Sequence, residues 1–226
     1  MNENKQILTL KELNNDLYID KVKQFLRNIE YRESPDGISF IDDRPCIVEH
    51  FAFDCSKNAG KGSEFQQKAG KNFKETIGNR STSRAIISST DDIQYYFDNL
   101  KYAFEKHCKN REKYETNLYN DFHEKDSRVN KNTKYLEVFV IEDCSLAVYF
   151  YNEKSLEWEP YNICQSKEFL QLWNEHKDID YILLYTNIGV FFMRYVDYKL
   201  SQSYKDLKTM CKSGGCVIVS KTYSIK

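Results

Sequence analysis

A layered α/β or α+β fold is the class this sequence predicts, and three observations predict it. Some stretches repeat apolar residues at helical spacing, while others run apolar over four to eight residues, as buried strands do. The two kinds alternate in the order α-β-β-α-α-β-β-α-β-β-α-β, a pattern that needs helices packed on sheets. The 226 residues include 17 Tyr and 14 Phe, which favour strands and supply large buried area.

The first helix is predicted over about 10–30, where Leu13, Leu17, Val22, Phe25, Leu26 and Ile29 share one face. Ser34-Pro35-Asp36-Gly37 breaks it. A strand over 38–41, a turn at Asp42-Asp43-Arg44-Pro45 and an apolar strand over 46–53 read as a hairpin. A polar loop with two glycines follows. Ser63 and Gln66 form a capping-box pattern opening a helix to about 77. Residues 78–89 read as loop or locally extended chain. From Asp91 a helix places Ile93, Tyr96, Phe97, Leu100 and Phe104 on one face and continues, with breaks, to about 122.

The second half is richer in strands. Segments 136–141 and 146–151 flank Glu142-Asp143-Cys144-Ser145 and read as a hairpin. A short helix is expected over 167–176. Segments 181–185 and 190–196 flank Thr186-Asn187-Ile188-Gly189 as a second hairpin. A helix over 200–210 and a strand over 216–219 complete the chain. Polar residues 124–134 are the best boundary, dividing 1–123 from a strand-rich 135–226 that packs on the same sheet or forms a small subdomain.

Composition excludes several classes. Hydrophobic residues are 41% and charged residues 30%, a globular balance, and only 3 Pro and 8 Gly argue against fibrous or low-complexity chains. The net charge of −1 is not that of a blanket DNA binder. No apolar run approaches the roughly 20 residues of a membrane span. The start, MNENKQILTL, lacks the basic end and apolar stretch of a signal peptide. Seven cysteines without a CxxC pair suit reduced thiols, so a cytoplasmic, non-membrane protein is expected. Charge is uneven: residues 57–84 carry seven basic and two acidic side chains, following 1–56 with seven basic and eleven acidic. An acidic cluster before a basic segment suits a site that holds cations and meets phosphates.

The informative segment is Glu30-Tyr31-Arg32-Glu33-Ser34-Pro35-Asp36-Gly37, then Ile47-Val48-Glu49-His50-Phe51. A hairpin of this length brings Asp36 and Glu49 to one end of a sheet. Carboxylates held together repel unless a cation neutralises them, and hard divalent ions prefer such oxygen ligands. The bound ion can activate water at a phosphate.

This segment resembles the PD-(D/E)XK nuclease superfamily: Pro35-Asp36 matches the first half of its motif, and Glu49-His50-Phe51 sits where the family has (D/E)-X-K. The resemblance covers about residues 10–75. It implies a mixed central sheet flanked by helices, a restriction-endonuclease-like core, and Mg²⁺- or Mn²⁺-dependent hydrolysis of phosphodiester bonds, usually of DNA. It implies Asp36, Glu49, the His50 backbone carbonyl and the accessory Glu30 as metal ligands. The motif lysine is Phe51 here, so Lys57 or Lys61 would take the catalytic lysine's role. Gln67, Lys68, Lys71 and Lys74 on the basic helix would hold the nucleic acid, and Gln66 is also compatible with a family glutamine. The His50 side chain points away from the face shared by Glu49 and Phe51. A homodimer is compatible with this reading.

Other motifs carry less. Asn58-Ala59-Gly60-Lys61-Gly62-Ser63 lacks the full phosphate-loop pattern. His107, Cys108 and His123 read as surface residues, since their surroundings are charged and helical without paired ligand spacing. Cys211 and Cys216 read as ordinary thiols, and the aromatic stripes at 95–104 and 185–195 as core. No segment marks out a Cys-His nucleophile. Two functions therefore stand: a metal-dependent nuclease, or an inactive nuclease-like protein that binds nucleic acid or a protein partner.

Overall fold

A computed structural model describes residues 16–53, 55, 92–144, 147–186, 189–199, 204–213 and 216–219. The expected helix over 63–77, and with it Lys57, Lys61, Gln66, Gln67, Lys68, Lys71 and Lys74, lies outside the described residues.

The molecule is a mixed α/β structure built on a six-stranded sheet of order β1 (Glu30–Tyr31), β2 (Gly37–Ile41), β3 (Arg44–Phe53), β4 (Leu136–Asp143), β7 (Tyr181–Thr186) and β8 (Gly189–Arg194). Helix α1 (Asp16–Arg27) packs Val22 and Phe25 on one face of it. Strand β1 (Glu30–Tyr31) is a correction: Glu30 does not end a helix but pairs with Ile38 of β2 (Gly37–Ile41). The reason is local. The Arg32 N–H donates to Asp36 O at 3.0 Å and closes the loop, and Gly37 lets the returning chain come near. A Cβ at Gly37 would lie 2.8 Å from Ile29 Cγ2.

Strands β2 and β3 (Arg44–Phe53) form the expected hairpin, with a turn of two residues rather than four. Asp42 and Asp43 adopt φ of 48° and 61°, the left-handed pair that matches strand twist in a tight hairpin. Pro45 therefore falls within β3. It is tolerated because its pairing with β4 (Leu136–Asp143) begins only at Cys46, so no ladder needs its missing N–H.

Helices α2 (Asp92–Cys108) and α3 (Arg111–Phe122) follow, as the periodicity predicts. Strand β4 lies parallel to β3 on one side and to β7 (Tyr181–Thr186) on the other. This overturns the expected hairpin of 136–141 with 146–151. Both edges of β4 are taken, so β5 (Ala147–Asn152) joins a second, three-stranded sheet between β6 (Glu157–Tyr161) and β9 (Cys216–Val219). Strand β6 was not foreseen: its Glu157, Trp158 and Glu159 give no apolar signal, because it is an exposed edge. Strands β7 and β8 (Gly189–Arg194) form the expected hairpin.

Helix α4 (Lys167–Glu175) is capped by Ser166, whose hydroxyl accepts the Phe169 N–H at 3.1 Å. A single turn, α5 (Tyr195–Tyr198), precedes the expected helix over 200–210, of which residues 200–203 lie outside the described residues and the helical part is α6 (Leu207–Lys212). The difference arises at Lys205, which bridges to Ser166, and at Asp206, which caps α6 by accepting the Thr209 N–H at 2.8 Å. The larger core joins α2 and α4 to the odd-numbered face of β3 and β4, including Phe51, Leu100, Phe104, Phe139 and Trp173. The sheet thus draws strands from both sides of 124–134. Among the described residues no helix is long and apolar enough to cross a membrane.

Candidate metal centre

The hairpin register sets the site. Gly37 opposite Val48 is the last pair of β2 with β3, so Asp36 stands just beyond it, level with Glu49. The His50 N–H, freed where the ladder ends, donates to Asp36 Oδ2 at 2.8 Å and fixes that carboxylate. In a strand the N–H and C=O of one residue point to the same side. The His50 carbonyl therefore faces the edge where Asp36 stands.

Glu49 is on the face of β3 that packs against α2, and only 2% of the residue is exposed. Its partner is His107, in the last turn of α2: Nδ1 lies 2.5 Å from Oε2. The imidazole stacks on Phe51 at 4.8 Å between ring centroids and 21° between planes, which holds it toward the carboxylate. Ligand atoms of Asp36, Glu49 and His107 all lie within 4.8 Å of one another. Glu49 Oε1 is buried with no hydrogen-bond partner among the described residues. A buried carboxylate oxygen left bare is costly, and a cation is the group that satisfies it best. The donor set, two carboxylates and one imidazole, fits a divalent metal ion.

Neighbouring groups carry the imprint of this negative charge. Burial, with Glu49 beside it, pushes the Tyr114 phenol up, against hydrogen bonds to Asn110 and Ser34 that lower it, so Tyr114 keeps its proton. Burial also pushes Glu137 up to about 7, opposed by Arg111 and reinforced by Glu49.

The expected residues divide. Asp36 and Glu49 converge. The His50 side chain leaves the site, as alternation requires, and meets Glu142 at 2.9 Å. Glu30 leaves it too: its side chain is 60% exposed and binds Arg32 at 2.6 Å. Phe51, where the resemblance expects a lysine, is a core residue in edge contact with Phe104 and Phe139. Lys57 and Lys61 lie outside the described residues.

His107 is the residue that sequence reasoning missed, and its assignment to the surface is corrected. The signal was present: 93, 97, 100, 104 and 107 continue one helical stripe. Its charged neighbours Lys106 and Lys109 masked it. Cys108 touches His176, Sγ to Nδ1 at 3.6 Å. Burial, with Glu137 and Asp178 nearby, pushes its thiol up to about 12, so the pair is no thiolate nucleophile.

Comparisons with protein-family models, with curated proteins and with solved structures return no match.

Proposed function

We propose that the chain is a metal-dependent nuclease of the PD-(D/E)XK kind that hydrolyses phosphodiester bonds, with DNA the first substrate to test. The observation that supports this most is the convergence of Asp36 and Glu49 around a buried carboxylate oxygen that has no partner among the described residues. Asp36, Glu49 and the His50 carbonyl would hold Mg²⁺ or Mn²⁺. Such an ion supplies a more acidic water and neutralises charge on a phosphoryl oxygen.

The chain's own residues do the rest. The His50 N–H keeps the Asp36 carboxylate in place. Phe51 and His107 wall the inner side of the site and keep bulk water from Glu49. The basic stretch 57–84 follows β3 in the sequence, and its charge suits a phosphate backbone.

Cleavage of plasmid and labelled single-stranded DNA with Mg²⁺, Mn²⁺ or chelator tests this. Asp36→Asn and Glu49→Gln should each lower metal-dependent cleavage by about 100-fold or more, with unchanged far-UV circular dichroism. Full cleavage by both folded variants refutes the assignment.

A second reading has its own observation. Phe51 is buried in the lysine position, and among the described residues no lysine is ion-paired with Glu49. A nuclease-like protein that binds nucleic acid without turnover would show salt-dependent affinity and no cleavage.

A further inference from the structure

His107 differs from the other groups of the cluster in chemistry and in origin. It is a nitrogen donor among oxygens. It comes from α2, 58 residues from Glu49 in sequence, and not from the hairpin. Its ring is held by stacking on Phe51, its side chain is 18% exposed, and its Nδ1 faces the gap shared by the two carboxylates. The imidazole occupies only Oε2 of Glu49, and the buried Oε1 has no partner among the described residues.

We infer that His107 is a third protein ligand and that it makes the site prefer a first-row transition dication, such as Mn²⁺, to Mg²⁺. The inference rests on the carboxylate pair of the proposed nuclease site holding a divalent ion. Mg²⁺ binds oxygen ligands and keeps its waters tightly. Imidazole suits transition metals, and affinity at mixed nitrogen and oxygen sites rises along the Irving–Williams series. A set of Asp36, Glu49 and His107 therefore tips selectivity away from Mg²⁺ without excluding it. Ligation through Nδ1 takes the tautomer with the proton on Nε2, so the contact of Nδ1 with Glu49 Oε2 gives way to shared ligation of the ion.

The test is titration of the full chain with Mn²⁺ and with Mg²⁺, by calorimetry and by electron spin resonance of bound Mn²⁺. Wild-type protein is expected to bind Mn²⁺ about 10-fold or more tighter than Mg²⁺, and pulsed spectra should show ¹⁴N coupling from one imidazole. His107→Gln should lose that coupling and about 10-fold or more of Mn²⁺ affinity, while Mg²⁺ affinity changes little. The wild-type spectrum reports ligation even where the variant folds poorly. Mn²⁺ bound without ¹⁴N coupling, or equal affinity for both ions, overturns the role of His107 and leaves the carboxylate site standing. Absence of any binding that Asp36→Asn or Glu49→Gln removes overturns the metal site itself, and the nuclease reading with it.

Discussion

Glu49 and Glu137 stand on neighbouring parallel strands and on the same face of the sheet, and each side chain is 3% exposed. Their surroundings differ. Glu137 Oε2 accepts from Arg111 Nη1 at 3.0 Å, and Arg111 is itself held by Glu115 and by the Asp178 carbonyl. The backbone on either side of Glu137 is tied to Asp180, whose carboxylate accepts the Glu137 N–H at 3.0 Å. Glu49 has an imidazole on one oxygen and, among the described residues, no partner on the other. A buried carboxylate with a resident guanidinium is finished as a structural ion pair. One with a bare oxygen beside a second carboxylate has room for an ion from solution.

That contrast breaks most directly under substitution. Glu137→Ala takes from Arg111 its buried carboxylate partner, leaving it Glu115 and the Asp178 carbonyl, and should cost about 2–3 kcal/mol of stability at pH 8. Glu49→Gln removes a charge that lacks its full complement and should change stability by less than about 0.5 kcal/mol. Urea melts of both variants measure the difference, and equal losses would erase the distinction drawn between the two acids.

The next effect is a dependence on pH. The folded chain raises Glu137 to about 7 from its ordinary 4.5, mainly through burial. Folding therefore favours the protonated form. The contribution is fully present below about 4.5 and is lost as pH rises through about 7, about 3 kcal/mol in all. Urea midpoints measured from pH 5 to 8 should fall in the wild type, and Glu137→Gln should flatten the slope. A wild-type profile that rises over this window contradicts the placement of Glu137.

The smallest effect sharpens the Glu49 side alone. Gly37→Ala sets a methyl against Ile29 and shifts the chain that carries Asp36. About 1 kcal/mol of stability should be lost. The rise in melting temperature on adding Mn²⁺ should shrink while the pH slope due to Glu137 stays. An unchanged Mn²⁺ response would show that the loop before β2 does not position Asp36.

Much of the site was legible because it is local. Asp36 and Glu49 belong to one hairpin, and counting along its strands places them level. The apolar run of β3 announced burial, and a lone glutamate within it announced a partner. His107 was not legible in the same way, since its neighbours on the chain are charged and its neighbours in space are Phe51 and Glu49. The hairpin expected around Glu142 failed for a related reason. Turn-like residues between two strands mark a change of direction, but β4 is paired on both edges by strands distant in sequence. Glu30 failed because a two-residue strand has no periodicity to read.

The two-residue turn at Asp42-Asp43 lies at the end of the hairpin away from the carboxylates, yet it decides which side chain they meet. Side chains alternate along β3, so slipping the strand by one residue would exchange Glu49 for His50 and turn the acid outward, toward Glu142. The tight bend thus acts as a ruler, metering the distance along the strand at which an acid can face inward.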